Sequence, residues 1–458
     1  MNPYFDAQLI QKYSISGPRY TSYPTAVQFH ERFDETTYRH HLIQSNESQR
    51  PLSLYLHIPF CQSVCYYCAC NKIITKNPKQ ASQYLDYLAR DIALQTQSLD
   101  AKRPVVQLHF GGGTPTFISP DEHSQLFHLL HQHFQFADQA TGEYSIEVDP
   151  RTVDYSYLSH LRQLGLNRIS FGIQDFDPEV QQAVNRIQPL KEVEKIFDAA
   201  RALHYHSISV DLIYGLPLQT PEKFAQTVAE VIRLSPERIA VFNYAHLPHL
   251  FGAQKQLQSQ HLPDSATKLK ILENTIHQLT QAGYEFIGLD HFAKPSDALV
   301  QHQKNGTLYR NFQGYSTFSN CDLLGFGISA ISMVGNSYSQ YHKARNKYYQ
   351  ALDTQQLPIL RGITLTEDDL LRRHVITEIM CNLTLDLTQI SAQFNLNAKE
   401  HFAQEWQRLE PMAEDKLIEL TPTQLHVKPL GRLLIRNIAM VFDAYLHAND
   451  HNRYSKVI

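Results

Sequence analysis

From about residue 52 the chain settles into a regular alternation of short apolar runs and longer amphipathic stretches. The runs are LSLYLHI (52–58), VVQLHF (105–110), EYSIEVD (143–149), RISFGIQ (168–174), SISVDLIYG (207–215) and RIAVFNYA (238–245), each rich in β-branched or aromatic residues. Between them, segments such as 82–98, 121–134, 190–203 and 221–234 repeat apolar positions at helical spacing. Strand, helix-length crossover and strand, repeated through six runs, predict a parallel sheet. Periodicity alone fits a doubly wound sheet or a barrel equally well. A further run, YEFIGLDHF (284–292), is a candidate extension of the sheet.

The flanks read differently. The first fifty residues are polar and irregular, and SGPRYTSYPTA (Ser16–Ala26) has the prolines and hydroxyls of an ordered arm rather than a helix. Beyond residue 355 the pattern is mostly helical, with Thr366 capping TEDDLLRRHVITEIMC and acids in its first turn, where the helix dipole favours them. A strand-like LHV (425–427) precedes an expected last helix, Leu430–Leu446. Such a winged outline invites a DNA-binding reading, but GRLLIRNIAMVFDAYL is mostly core-forming, which favours a lid or packing domain. The expected division is an arm (1–50), an α/β catalytic domain (51–355) and a smaller, mostly helical domain (356–458).

Chemistry-bearing residues collect at the carboxyl ends of the runs: Glu147, Gln174, Asp211, Asn243, Tyr244, Asp290 and His291. Any one of them needs no more than a strand leaving into a polar loop. Together they point to a shared mouth of the kind where parallel barrels build active sites.

Length and composition narrow the class. A chain of 458 residues exceeds one ordinary core unless that core is an α/β barrel of roughly 250 residues with smaller additions. Hydrophobic content of 43% and charged content of 19% suit a folded protein. Net charge is −4 with no block of Lys and Arg in the sequence, so nucleic acid is not an expected main partner. No apolar run is long enough to span a bilayer and MNPYFDAQLIQKY lacks a signal-peptide core, which makes the cytoplasm the expected location. Six cysteines, four of them within ten positions, argue for metal or redox work rather than a disulfide framework.

Those four lie in CQSVCYYCAC: Cys61, Cys65 and Cys68 in C-x3-C-x2-C spacing, then Cys70. Thiolates are the ligands of iron–sulfur clusters, and three of them hold three corners of a cubane while leaving one iron open to a substrate. The loop follows the first strand through Pro59, which places it at the mouth. A structural zinc site is the main competitor, although it usually draws two cysteine pairs from separate hairpins. By spacing alone Cys70 is a fourth ligand, a neighbouring thiol or a structural residue. Cys321 and Cys381 stand apart as core residues. The second strand ends in HFGGGTPT, where Gly111, Gly112 and Gly113 carry no Cβ. This is neither the G-x-G-x-x-G fingerprint nor a P-loop. A tight turn accounts for it alone; beside an open iron, a backbone cradle for a small zwitterionic ligand fits better.

C-x3-C-x2-C leaving the first strand and GGGTP after the second resemble the radical S-adenosylmethionine superfamily. Further segments narrow the resemblance: LSLYLHIPFC, the trailing Cys70, SIEVDPR, SFGIQDF, VNRIQ, VDLIYGLP, FNYAHLP, RNFQGYST and GPRYTSYPTA are all similar to the oxygen-independent coproporphyrinogen III oxidase family, from the arm to the final helix. The resemblance implies a partial (β/α)6 barrel of radical-SAM type. It implies a [4Fe–4S] cluster on Cys61, Cys65 and Cys68, with Cys70 outside the ligand set. Tyr55, Gly111, Gly112, Glu147 and Ile331 would surround the S-adenosylmethionine on the cluster. A second S-adenosylmethionine would meet Tyr67, Gly113, Thr114, Gln174, Arg186, Asp211 and Ala245, with Phe312 and Gln313 on a loop reaching into the same cavity. Ala69, where the family usually has Gly, and Tyr67, commonly Phe, depart from the pattern.

The implied reaction is oxidative decarboxylation of two propionates of coproporphyrinogen III to vinyl groups, giving protoporphyrinogen IX in haem biosynthesis. Reductive cleavage of S-adenosylmethionine yields a 5′-deoxyadenosyl radical, which can remove an unactivated β-hydrogen that no protein acid or base can. An electron donor, an electron acceptor and a monomeric state complete the expectation. A tetracarboxylate substrate also calls for cationic or amide donors, and Arg19, Arg310 and Gln313 are the candidates. The competing readings are a radical-SAM-like haem chaperone without decarboxylase activity and a zinc-stabilised interaction protein. Cys70 and the GPRYTSYPTA arm favour the enzyme over the chaperone.

Overall fold

The computed structural model describes residues 3–446. The chain forms two compact units, neither contiguous in sequence: one of Phe29–Asp264 and Asn320–Thr364, the other of Met1–Gln28, Ser265–Ser319 and Leu365–Ile458.

The first unit holds the expected parallel strands: β1 (Leu52–Ile58), β2 (Pro104–Gly112), β3 (Glu143–Val148), β4 (Arg168–Gln174), β5 (Ser207–Tyr214) and β6 (Arg238–Asn243). Each pairs in parallel with the next in chain order. Every crossover therefore steps the same way round the sheet, whereas a doubly wound sheet needs a reversal of strand order. The chain takes the barrel-like option.

The intervening helices are α1 (Glu35–Ser45), α2 (Lys79–Thr96), α3 (Pro120–His133), α4 (Tyr155–Gln163), α5 (Leu190–Ala202) and α6 (Pro221–Leu234). Their starts are written locally. Ser119 and Glu122 form a reciprocal capping box on α3, while Asp154 and Thr220 cap α4 and α6. Helix α1 lies inside the stretch expected to be irregular. Its polar composition hides a narrow apolar stripe, with Tyr38 and Leu42 one turn apart and fully buried.

Four strands were not expected from the pattern. β7 (Asp322–Phe326) pairs in parallel with β1 on its free side, Leu52 opposite Asp322 and Leu56 opposite Phe326. β8 (Ile331–Val334), β9 (Ser337–Tyr341) and β10 (Ile359–Thr364) continue the sheet antiparallel. Between β6 and β7 the chain passes through Ser265–Ser319 of the second unit, so the strand–helix rhythm gives no warning of β7. α7 (Arg345–Asp353) connects β9 to β10.

The second unit packs Ile287, Leu371, Val375, Ile379, Leu409 and Ile438 into one core with further apolar residues of its three segments. Thr366 and Asp369 form the capping box of a helix over Glu367–Thr377, as the sequence predicts. Gln424–Val427 pairs with Thr384–Asp386 and with Ile418–Leu420 to make a small antiparallel wing. The expected helix Leu430–Leu446 is instead two short helices, Pro429–Leu433 and Ile435–Met440, followed by turns. The break falls at Leu434 (φ −99, ψ 18). Beyond it the buried Arg436 donates to the carbonyls of Gly17 and Pro18, anchoring the Ser16–Ala26 arm. Tyr20 adds a hydrogen bond from its hydroxyl to Asp443 at 2.9 Å. YEFIGLDHF folds as the short antiparallel strands Glu285–Gly288 and His291–Ala293 within this unit.

Candidate functional site

Strands β3 and β4 alternate buried with half-buried positions along their whole length, and β5 does so from Ile208 onward. The buried set faces the helices; the half-buried set is Glu143, Ser145 and Glu147 on β3, Arg168, Ser170, Gly172 and Gln174 on β4, and Ser209, Asp211 and Ile213 on β5, polar at nearly every position. A closed barrel fills its centre with branched apolar side chains. Here that face is polar and reachable.

Register assembles the site. Tyr55 lies opposite His109, and His109 opposite Ser145. Tyr55 stacks on His109 with ring centroids 5.9 Å apart and donates from its hydroxyl to Nδ1 of His57 at 3.0 Å. His57 Nε2 donates to the Asn71 carbonyl at 2.9 Å, which fixes the tautomer because a carbonyl can only accept. Burial lowers the His57 pKa and keeps the ring neutral. His109 is 2.7 Å from Ser145 Oγ and 3.3 Å from Glu147 Oε1. Glu147 accepts the Gly112 N–H at 3.2 Å and still leaves 46% of its side chain accessible. Burial raises its pKa, but the hydrogen bond and charge of His109 and the Gly112 N–H outweigh that and hold it below the usual range. Asp211 is pushed up to about 7, first by burial and then by the charge of Glu147. Near neutrality Glu147 is thus ionised, while Asp211 on the same face is poised to gain or lose a proton.

The cysteine loop leaves β1 at this end. Phe60 and Cys61 pair in parallel with Ile73 and Ile74, with Thr75 N donating to Cys61 O at 3.0 Å. Tyr66 N reaches Val184 O at 3.0 Å and Asn185 Nδ2 reaches Val64 O at 2.8 Å, so the VNRIQ segment clamps the loop. Donors approach the sulfurs of Cys61 and Cys65 and the carbonyl of Cys68. Thr114 Oγ1 is 3.3 Å from Cys61 Sγ, Arg186 Nη1 is 3.6 Å from Cys65 Sγ, and Lys72 Nζ donates to Cys68 O at 2.9 Å. Burial raises the Cys61 thiol to about 11, whereas the Cys70 thiol and then Lys72 bring Cys68 down to about 6 against burial. The same contact raises Cys70, an exposed free thiol hydrogen-bonded to Cys68. Among the described residues no group of three His, Cys, Asp or Glu converges on a single-ion position. A tetrahedral zinc needs all its ligands within about 2.3 Å of one point, whereas a cubane takes one thiolate at each of three irons. Three loop thiols with donor groups around them suit the cubane.

The glycines resolve into distinct roles. A Cβ on Gly111 would meet Tyr55 at 3.0 Å and Glu147 at 3.1 Å, and one on Gly113 would meet the Pro59 backbone at 2.6 Å. Gly112 has φ +121 and a Cβ there would lie 2.8 Å from His57. The turn therefore lets the protein's own Tyr55, His57 and Pro59 approach the backbone, a reason the sequence did not reveal. Gly113 N and Thr114 N donate to Ile58 O and Phe60 O, both at 2.8 Å, tying β2 to the start of the cysteine loop.

Arg186 is the hub between strand ends and cysteines. It is buried, donates to Asp149 Oδ2 at 3.0 Å and to Gly172 O at 2.5 Å, and carries a raised pKa because Tyr67, Asp149 and Cys65 outweigh its burial. Asp149 is also held by Arg151, and Arg151 comes within 4.0 Å of Cys65 Sγ. Gln174 has φ +69 and a buried, unpartnered Oε1, and Asn243 Oδ1 is likewise buried without a partner. Tyr67 packs against Val180, Val184, Leu216, Tyr244 and Leu257, while its carbonyl and that of Ala245 both accept from Gln254 Nε2, at 3.1 and 3.2 Å. Ile331 opens β8, where its carbonyl would lie 2.6 Å from a Cβ on Gly325. His57, His109, Asp149 and Arg151 were not singled out from sequence. The signal was present for the first two, since Tyr55/His57 and His109/Gly111 are i, i+2 pairs on one strand face.

Asp290, His291, Arg19, Arg310, Phe312 and Gln313 belong to the second unit. There Arg19 is ion-paired with Asp290, and His291 meets Tyr315 edge-on at 5.1 Å. Arg310 lies over the Tyr315 ring at 4.9 Å with Nε and Nη1 buried and unpartnered; Gln313 Nε2 is also unpartnered. Burial, then the charge of Arg19, bring Arg436 down to about 9, with Arg310 adding to the effect. A cationic group thus collects around Tyr315.

The Radical SAM superfamily model matches residues 55–231, and the HemN C-terminal domain model matches residues 365–434. The oxygen-independent coproporphyrinogen III oxidase of Pseudomonas aeruginosa is 50% identical over 454 residues, 99% of each chain. This chain belongs to the oxygen-independent coproporphyrinogen III oxidase family. The Escherichia coli oxidase of the same description is 49% identical over 99% of this chain and 98% of its own. A solved structure described as coproporphyrinogen III oxidase (HemN) from Escherichia coli, a radical SAM enzyme, matches with a TM-score of 0.93 at 47% identity, covering 97% of this chain and 100% of that one. Membership of the radical SAM superfamily implies a [4Fe–4S] cluster and S-adenosylmethionine as cofactors. No helix among the described residues is long and apolar enough to cross a membrane.

Proposed function

We propose that this chain oxidatively decarboxylates two propionate side chains of coproporphyrinogen III to vinyl groups, giving protoporphyrinogen IX. The observation that carries the reading is the likeness over 99% of the chain to oxidases of that description, joined to a cysteine loop above a polar, accessible sheet face.

Cys61, Cys65 and Cys68 would hold the cluster as its thiolate ligands. When bound, the cluster and S-adenosylmethionine supply a primary carbon radical able to remove an unactivated β-hydrogen. The chain's own residues bind, orient and exclude. Tyr55, Gly111, Gly112, Glu147 and Ile331 surround the first S-adenosylmethionine, with Glu147 ionised and fixed by His109 and Gly112 N–H. Tyr67, Gly113, Thr114, Gln174, Arg186, Asp211 and Ala245 receive a second S-adenosylmethionine. The unpartnered Oε1 of Gln174 is a free acceptor for its amino or hydroxyl groups. Arg310 and Gln313 are the propionate donors, because their buried unpartnered nitrogens suit a carboxylate. Arg19 joins them through the cationic group around Tyr315. The protein acts as a cytoplasmic monomer that takes electrons from a donor and passes those released by decarboxylation to an acceptor.

Anaerobic reconstitution with iron and sulfide, then incubation with reductant, S-adenosylmethionine and coproporphyrinogen III, tests the reading. Protoporphyrinogen IX is the expected product. Formation of 5′-deoxyadenosine without it would leave the superfamily assignment standing and remove the substrate.

A further inference from the structure

Two segments of the first unit, Asn71–Gln80 and Lys343–Gln350, are far apart in sequence and adjacent in the fold. Asn71 Nδ2 donates to Lys343 O at 3.1 Å, and Arg345 Nη1 donates to Gln80 Oε1 at 2.9 Å. Between them they carry Lys72, Lys76, Lys79, Lys343, Arg345 and Lys347 and no acidic residue. No carboxylate pairs with any of these six among the described residues, whereas Lys12, Arg90, Arg201, Lys223 and Arg233 elsewhere on the surface each hold one. Lys76, Lys79, Lys343 and Lys347 are exposed, and Ile74 stands among them with 45% of its surface accessible. Acids border the patch without pairing to it: Asp86 and Glu31, within electrostatic reach of Tyr349 and His342, Glu122, which accepts from Ser82 Oγ at 2.7 Å, and Asp353, which Arg90 and Tyr87 occupy. A chain of net charge −4 thus gathers a local excess of positive charge that its sequence does not show as a block.

The patch begins at the cysteine loop. Lys72 Nζ is bonded to Cys68 O, and the Ile73–Ile74 strand pairs directly with Phe60–Cys61. We infer that this face docks an acidic, low-potential electron-carrier protein that delivers single electrons to the cluster. The inference rests on the proposed function, which requires a one-electron reductant. Charge complementarity selects an acidic partner and orients its approach, while Ile74 offers one apolar contact within the charged rim. The carrier loses one electron and the cluster gains one; no bond is made or broken at the interface. A nucleic acid would meet the same charges, but the patch shows no exposed aromatic residue on which bases could stack.

The test uses reconstituted holoenzyme and its Lys76→Glu/Lys79→Glu/Lys343→Glu/Lys347→Glu variant, with Lys191→Glu/Lys399→Glu/Lys416→Glu/Lys428→Glu as a control of equal net charge. Affinity for an oxidised plant-type [2Fe–2S] ferredoxin and for an oxidised flavodoxin is measured by calorimetry across ionic strengths. 5′-Deoxyadenosine formation is then driven by each reduced carrier or by dithionite. The expected result is an affinity loss of about tenfold or more for at least one carrier in the quadruple variant, a flattened salt dependence, and dithionite-driven turnover equal to wild type. Unchanged carrier affinity, equal loss in the control, or wild type accepting neither carrier would overturn the docking surface. Loss of DNA-duplex binding with carrier affinity intact would overturn it in favour of a general polyanion site. Failure of wild type to form 5′-deoxyadenosine even with dithionite would instead overturn the proposed function on which the inference rests.

Discussion

Arg103→Met probes the joint that seats β7 beside the strand carrying the cysteine loop. Arg103 has no accessible side-chain surface and is ion-paired with Asp322, which is itself 2% accessible. Its guanidinium also donates to Arg50 O at 2.8 Å and Ser45 Oγ at 3.0 Å. Asp322 stands opposite Leu52 at the first register position of β7 on β1. Removing one partner of a buried pair costs about 3–5 kcal/mol, because the other charge is left without compensation. Asp322 would retain the Gly335 N–H at 3.0 Å and Arg50 at 3.3 Å, so the lower end, about 3 kcal/mol, is expected. Asp322→Leu alone should cost a similar amount, since it strands the buried Arg103. The double variant should recover most of the loss, giving a coupling of at least about 2 kcal/mol in the cycle. Thermal and urea unfolding of anaerobically purified protein measure it, with iron retention reporting on the cysteine loop at the far end of β1. A cost below about 1 kcal/mol for either single variant, or additive losses in the double, would refute the reasoning.

His123 is fully buried and its pKa is held down to about 3, by burial first and then by the charge of His160, against an ordinary 6.5. Between those values the unfolded chain binds a proton that the fold refuses. Its stability is fully present above pH 6.5 and drains as pH falls, by about 2 kcal/mol at pH 5, and His123→Leu should remove that component from unfolding curves taken at pH 7.5 and 5. Thr366→Ala deletes a capping box whose two backbone bonds measure 3.1 and 2.9 Å, and should cost about 1 kcal/mol in denaturant unfolding. Cys61→Ser should abolish iron content and turnover, while Cys70→Ser should keep the cluster; iron and sulfide analysis with absorbance of the reconstituted proteins separates the two outcomes.

Much of this protein is written locally. Six apolar runs and the crossovers between them determine a parallel α/β unit, because strand alternation and helix spacing are properties of neighbouring residues. Caps such as Ser119, Thr220 and Thr366 are legible for the same reason. The C-x3-C-x2-C loop and its place after β1 are likewise readable, and the resemblance of whole motifs supplied a substrate that no spacing contains.

Other features depend on residues distant in sequence. β7 joins β1 only because Asp322 finds Arg103 and an open strand edge, which no local pattern records. The last helix breaks at Leu434, beyond which Arg436 turns to the carbonyls of Gly17 and Pro18, a tertiary demand overriding helical spacing. The glycine turn was read for its openness, yet its neighbours are Tyr55, His57 and Pro59 of the adjacent strand and loop. Arg186 becomes the hub of the cysteine loop by meeting Asp149, Gly172 and Cys65 at once, and the six cations beside that loop come from two segments more than two hundred and sixty residues apart. Local hydrogen bonding and periodicity determine which elements form. Register, burial and charge between elements decide what those elements hold and where a partner can approach.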